Sequence, residues 1–156
     1  MPQLLNQTAP EFTLIDTEKK PVSLKDFQGK KIVLAFYPGA FTGVCTKEVC
    51  ALRDAMASFN SMNAQVLGVS IDSPFANKAF AAANNLAYPL LSDLNHEVSK
   101  KYCGLYDAFA GVSGYKASKR SVFVVDAKGI VRYEWVTENP GVEPPYEEIK
   151  SVLGKI

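Results

Sequence analysis

The stretch Lys31-Ile32-Val33-Leu34-Ala35-Phe36-Tyr37-Pro38-Gly39-Ala40-Phe41-Thr42-Gly43-Val44-Cys45 decides how this chain folds. Its first seven residues form an almost continuous apolar run, as expected of a central strand buried on both faces. Pro38 ends the run, having no N–H to give to a sheet ladder. Beyond the loop, Val49, Leu52, Met56 and Phe59 recur at three- and four-residue intervals, so the segment from Cys45 through Phe59 reads as an amphipathic helix. A strand thus passes into a helix through a short loop, with a cysteine at the helix mouth. The unpaired N–H groups there carry partial positive charge, which favours thiolate over thiol. A nucleophilic or redox-active sulfur is expected.

Outward from this stretch the same alternation recurs. Phe12 to Leu14 and Val22 to Leu24 flank the turn-like Asp16-Thr17-Glu18-Lys19-Lys20, which predicts an N-terminal hairpin. Gln65 to Ile71 reads as a second buried strand, and Ser73-Pro74 supplies an N-cap and a proline at the first position of a helix through Ala83. Tyr88 to Leu91 is a short strand, and Ser92 or Asp93 can cap a helix to about Tyr102, ahead of Gly104. Ser121 to Val125 and Ile130 to Trp135 flank Asp126-Ala127-Lys128-Gly129, a hairpin signal, and Pro144-Pro145 introduces a closing helix from Tyr146 to Leu153. The pattern predicts an α/β fold, a central mixed sheet flanked by helices with an N-terminal hairpin. No repeat, low-complexity tract or linker divides residues 1–156, so one domain is expected. Ligands of open α/β sheets sit beyond the carboxyl ends of strands, where Pro38 to Cys45 lies.

Composition narrows the function. A 156-residue chain with 47% hydrophobic residues suits an ordinary globular protein with a substantial core. Lys and Arg total 17 against 16 Asp and Glu, a formal net charge of +1, which supplies no bulk field to recruit nucleic acid or an anionic membrane. No apolar run approaches the ~20 residues of a membrane span, and Met1-Pro2-Gln3 lacks the features of a signal peptide, so a cytoplasmic location with no membrane partner is expected. Three cysteines are an odd number and too few for a disulfide scaffold. No metal is expected either: Cys45 and Cys50 have the wrong spacing for a zinc knuckle, no second close pair follows, and His96 is the only histidine. That scarcity also weakens a Cys/His hydrolase.

Cys50 follows Cys45 by five residues on the same expected helix. This separation corresponds to a rise of roughly 7.5 Å and a rotation of about 140°, whereas a disulfide wants its Cα atoms within about 7 Å. If Cys45 is oxidised and Cys50 attacks it, the first helical turn must melt.

Pro38, Thr42 and Cys45 fit the pattern P-x-x-x-T-x-x-C, in the context Phe36-Tyr37-Pro38-Gly39-Ala40-Phe41-Thr42. In this the chain resembles the peroxiredoxin family, and most of all its bacterioferritin-comigratory protein or PrxQ-like branch, where a resolving cysteine can sit five residues after the peroxidatic one, as Cys50 does. Ala9-Pro10-Glu11-Phe12, Leu67-Gly68-Val69-Ser70, Leu91-Ser92-Asp93 and Arg120-Ser121-Val122-Phe123 fall in the expected order, so the resemblance covers nearly the whole chain. It implies a thioredoxin-like fold and cofactor-independent reduction of hydrogen peroxide and organic hydroperoxides.

Chemistry assigns the parts within that resemblance. Cys45 thiolate would attack the terminal oxygen of the hydroperoxide, leaving a sulfenic acid and releasing water or an alcohol. The Thr42 hydroxyl can accept from the peroxide and donate to the sulfur or the departing oxygen. Arg120, always charged, could steady both thiolate and developing oxyanion. Pro38 would shape the loop and shield the sulfur, and Glu48, about one turn past Cys45, could hold an arginine in place. By resemblance Cys50 resolves the sulfenic acid as an intramolecular disulfide, which a thioredoxin-like or other dithiol protein then reduces, the atypical 2-Cys scheme. Cys103 reads as a core residue before it reads as an alternative resolving thiol, and Arg53 as an exposed or structural ion-pair residue. Phe41 is expected to pack in the core and to border the entrance. Monomer and homodimer both stay open. Two other functions also remain: a protein disulfide oxidoreductase, against which the absence of Cys-x-x-Cys counts, and a thiol redox sensor.

Overall fold

A computed structural model describes residues 3–156. Seven strands form one mixed sheet. The central strand β3 (Lys31–Phe36) pairs in parallel with β4 (Ala64–Ser70) and antiparallel with β8 (Ser121–Val125). On one side β5 (Leu90–Ser92) continues in parallel from β4, followed by the N-terminal hairpin of β1 (Thr13–Ile15) and β2 (Pro21–Ser23). On the other side β9 (Val131–Val136) closes a hairpin with β8. The fold is therefore the expected α/β arrangement, a central mixed sheet flanked by helices with an N-terminal hairpin.

Alternation along β3 divides the core into two layers, as the pleat requires when both faces are covered. Ile32, Leu34 and Phe36 face a layer with Phe12, Leu67, Val69, Tyr102 and Phe123, closed by α4 (Glu97–Tyr102). Val33, Ala35 and Tyr37 face the opposite layer with Val49, Leu52, Phe80, Ile149 and Leu153. Its helices are α1 (Gly43–Asp54), α2 (Met56–Ser61), α3 (Pro74–Ala83) and α5 (Tyr146–Lys155). In β4 a Cβ at Gly68 would meet Leu90 Cδ2 at 2.6 Å, so any side chain there would oblige Leu90 to shift. Among the described residues no helix is long and apolar enough to cross a membrane.

Two helices differ from expectation. The segment predicted as one helix from Cys45 through Phe59 is two, joined at Ala55 (φ −87°, ψ −1°), whose N–H is shared between the Ala51 and Leu52 carbonyls at 3.1 and 3.2 Å. That sharing tightens the last turn of α1 without any glycine or proline to announce it. The helix expected to start directly after Ser92 or Asp93 starts at Glu97, behind His96 at φ +65°. Asp93 still caps it from across the turn, its carboxylate accepting from the N–H groups of Val98 (3.2 Å) and Ser99 (2.7 Å). A small second sheet, β6 (Leu105–Tyr106) with β7 (Ala117–Ser118), and the loop between them were not foreseen.

Register brings the ends together. Phe36 pairs with Val69 in parallel and with Ser121 antiparallel, so the carboxyl ends of β3 and β4 meet the amino end of β8. Pro38, Asp72 and Arg120 lie just beyond those three ends.

Candidate active site

Cys45 is the third residue of α1 and is fully buried. Thr42 occupies the N-cap position, yet its hydroxyl caps nothing: it donates instead to the Gly39 carbonyl at 2.9 Å. The N–H groups of the first turn are thus left without a side-chain partner beside the sulfur. Pro38 is buried where the chain leaves β3, consistent with a steric role in shaping the loop. Phe41 departs from expectation, being 58% exposed at φ +66°, with its ring packed on Phe80 at 5.1 Å between centroids. Holding a non-glycine residue in the left-handed region costs on the order of 1–3 kcal/mol, strain of the kind that loops at functional sites carry.

Arg120 meets the sulfur from the next strand. Although 1% exposed, it directs its donors at three acceptors: Nη1 to Glu48 Oε1 at 2.7 Å, Nη2 to Cys45 Sγ at 3.3 Å, and Nε and Nη2 to the Pro140 carbonyl at 3.0 and 2.9 Å. Glu48 is fully buried and its Oε2 has no hydrogen-bond partner among the described residues. One cation therefore serves two buried acids. Burial pushes the Glu48 carboxyl up to about 8 against the pull of Arg120. Burial likewise pushes the Cys45 thiol up; Arg120 is the main opposing influence, followed by the Thr42 hydroxyl and the Gly39 backbone, while Glu48 adds to the rise. The helix mouth alone had suggested a lowered thiol. Dehydration of the sulfur outweighs that contribution, and the guanidinium is its principal counterweight.

Cys50, half-buried on α1, donates its thiol to Asn84 Oδ1 at 3.4 Å at the end of α3. Arg53, in its expected structural role, pairs with Asp54 at 3.0 Å and also donates to the Asn84 carbonyl at 2.7 Å. All three cysteines are free thiols. Cys103 is buried in the layer on the opposite face of the sheet from Cys45, and burial pushes its thiol up to about 12. Its expected core role fits that placement. Among the described residues no cluster of His, Cys, Asp and Glu is arranged to hold a metal ion.

Four contributors carried no sequence signal strong enough to be singled out. The Pro140 acceptor is a backbone carbonyl on a loop after β9. Tyr115 and Phe109, from the loop between β6 and β7, come within 3.5 and 3.9 Å of where a Gly39 Cβ would stand. Asp72 accepts a hydrogen bond from the Ala40 N–H at 2.8 Å, and its place after a strand end was the one available hint.

Comparison with known proteins agrees with this arrangement. The chain is 42% identical over 125 residues to a chloroplastic peroxiredoxin Q of Sedum lineare, covering 80% of this chain and 64% of that one, less than two thirds of the relative's length. It is 37% identical over 131 residues to a putative peroxiredoxin bcp of Coxiella burnetii, covering 84% and 87%. The crystal structure of the peroxidoxin BcpB from Mycobacterium tuberculosis superposes with a TM-score of 0.86 at 27% identity over 99% of both chains, and the fold is that of the thioredoxin-like peroxiredoxins. The sequence profile of the AhpC/TSA family matches residues 5–134, and the chain belongs to that family, within its peroxiredoxin Q and bcp-like branch.

Proposed function

We propose that this protein is a thiol-dependent peroxidase reducing hydrogen peroxide and organic hydroperoxides, with residues 1–156 acting as one domain. The observation that carries the reading is the buried guanidinium of Arg120, shared between Cys45 Sγ at 3.3 Å and Glu48 Oε1 at 2.7 Å. Two acids facing one cation titrate as a unit, and the arrangement is neutral when only one is ionised. With Glu48 protonated, the charge of Arg120 is free to hold Cys45 as thiolate.

The thiolate attacks the distal oxygen of R–O–O–H. The S–O bond forms as the O–O bond breaks, sulfur is oxidised to sulfenic acid, and the departing oxygen takes a proton to leave as water or an alcohol. Arg120 stabilises the charge as it moves from sulfur to oxygen, Thr42 orients the peroxide, and Pro38 keeps water from the sulfur. Glu48 holds Arg120 in place. Cys50 then displaces water from the sulfenic acid, giving a Cys45–Cys50 disulfide, and an external protein dithiol of the thioredoxin type returns both thiols. Unwinding the first turns of α1 releases Cys45 from Arg120 and Cys50 from Asn84, so resolution is a local unfolding step. A reducing compartment such as the cytoplasm suits this cycle.

The test is steady-state peroxide consumption with a thioredoxin-type reductant. Cys45→Ser should abolish it, whereas Cys50→Ser should keep a first turnover and lose efficient recycling. Undiminished turnover in Cys45→Ser would defeat the assignment.

A further inference from the structure

Asp72 takes no part in the chemistry above and lies just past the end of β4, yet it grips the loop that carries Cys45. Its Oδ2 accepts from the Ala40 N–H at 2.8 Å and from the Ser70 hydroxyl at 2.8 Å, and the Asp72 N–H donates back to Ser70 Oγ at 3.2 Å. Behind this bracket, Asn77 Oδ1 accepts from the Tyr37 hydroxyl at 2.7 Å and lies 3.4 Å from Ser70 Oγ. Tyr37, Ser70 and Asn77 are fully buried. A carboxylate braced in this way is a fixed acceptor, not a solvated surface charge.

The peptide it holds is the one that Thr42 reads. The Ala40 N–H and the Gly39 carbonyl are opposite ends of a single planar trans unit, pointing in opposite directions. Asp72 fixes the N–H end, and the Thr42 hydroxyl donates to the carbonyl end at 2.9 Å. Thr42 also stands at the N-cap of α1, where a threonine ordinarily accepts from the N–H of the second or third helical residue, here Val44 or Cys45 itself. If the peptide turned, Thr42 would lose its acceptor and swing onto its own helix, away from the peroxide.

We propose that Asp72 is a positioning residue for the peroxidase: by locking the Gly39–Ala40 peptide it keeps the Thr42 hydroxyl turned toward the loop and available beside Cys45. This rests on the peroxidase reading. The partner it needs is internal, and the acceptor oxygen, more than the charge, does the holding.

The experiment uses reduced full-length protein in single-turnover oxidation by hydrogen peroxide, with alkylation by iodoacetamide in parallel, since alkylation needs the thiolate but no contact between Thr42 and a peroxide. Asp72→Ala should slow oxidation by about tenfold or more, the scale of one hydrogen bond to a charged acceptor, and slow alkylation far less, since alkylation loses only the small help that the Thr42 hydroxyl gives the thiolate while Arg120 stays in place. Asp72→Asn, which keeps an acceptor oxygen, should recover most of the rate. In a Thr42→Val background, Asp72→Ala should add little further loss, because both changes act through one hydroxyl. Oxidation of Asp72→Ala at the parent rate, alkylation falling in step with oxidation, or full additivity with Thr42→Val would each overturn the proposal. If Asp72→Ala fails to fold, Ser70→Ala, which removes the brace and keeps the carboxylate, carries the same expectation at about threefold, and an unchanged rate there overturns it equally. A parent protein inert toward peroxide would sink the peroxidase reading itself, whereas an active parent matched by Asp72→Ala would sink only this inference.

Discussion

Replacing Arg120 with lysine separates what its charge does from what its shape does. The guanidinium fork reaches Glu48, Cys45 and the Pro140 carbonyl together, and an ammonium is a single point that cannot. Settling on Glu48, the shorter contact at 2.7 Å, it would retreat from the sulfur. Moving a unit charge from the observed 3.3 Å to about 5 Å lowers its attraction for the thiolate from about 5 to about 3.3 kcal/mol at an effective dielectric constant of about 20. The difference, about 1.7 kcal/mol, raises the Cys45 pKa by about one unit. At neutral pH the ionised fraction then falls more than tenfold, but a more basic thiolate is also more nucleophilic, with a Brønsted slope of about 0.4–0.5 recovering roughly threefold, so the net loss is about fivefold. Thiolate absorbance in the ultraviolet against pH gives the first quantity, and stopped-flow oxidation across the same range gives the second. High pH decides the interpretation. There both proteins are fully ionised, and if Arg120 served only to ionise the sulfur, Arg120→Lys would be the faster by roughly threefold. A variant still slower than the parent shows that the fork also holds the departing oxygen. An unmoved Cys45 pKa together with an unchanged oxidation rate would refute the electrostatic role assigned to Arg120.

Two further outcomes follow from the same neighbourhood. Because the Glu48 carboxyl is raised from 4.5 to about 8, the stability that burial gives its protonated form is complete below the ordinary carboxylate range and is lost as pH rises toward about 8. Glu48→Gln cannot ionise, so its thermal midpoint should stay flat across that window where the parent's declines; it should also lower the Cys45 pKa by removing the negative charge that raises it. Parallel pH profiles for the two proteins would count against both points. Asn84→Ala removes the acceptor of the Cys50 thiol while the Arg53 bond to the backbone carbonyl of residue 84 stays, so disulfide formation should accelerate about two- to fivefold with the first oxidation step untouched. Quenched-flow intact-mass analysis reads both steps, and a resolution rate at or below the parent's would show that Asn84 does not restrain Cys50.

The central strands β3, β4 and β8 were legible because each is an apolar run covered on both faces, with ends marked by Pro38, Ser73-Pro74 and Gly129, whereas the two-residue strands β6 and β7 are too short to show any pattern. The break at Ala55 was not, since no glycine or proline stands between Ala51 and Met56 and only the folded chain shows the Ala55 N–H shared between two carbonyls. The meeting of Cys45, Glu48 and Arg120 was foreseeable once β8 was set beside β3, because Arg120 directly precedes a strand and Cys45 follows one. Pro140 was out of reach: a carbonyl is common to every residue, and only the folded loop aims this one. Cys45 itself shows why local reasoning stops short. Helix position argues for a lowered thiol pKa, but the fully buried sulfur pays a dehydration cost set by residues scattered over the whole chain.

The same burial links catalysis to the proposed unwinding. Cys45 Sγ is fully enclosed and bonded to Arg120, so in the proposed cycle the oxidised protein would have to exchange one arrangement of α1 for another before Cys50 could reach it. In the reduced state the site is pinned from several sides: Asp72 on the loop, Arg120 on the sulfur, Asn84 on Cys50, and Tyr88, whose hydroxyl donates to the Val49 carbonyl at 2.7 Å. Oxidation weakens one of these directly, since a neutral sulfenic acid no longer offers Arg120 an anion. The break at Ala55 then matters, because it isolates α1 as a unit of twelve residues whose first turns can unwind without carrying α2 along. In the proposed cycle the chemical step would thereby loosen the contact that opposes the structural one, so that unwinding would follow the reaction and not precede it.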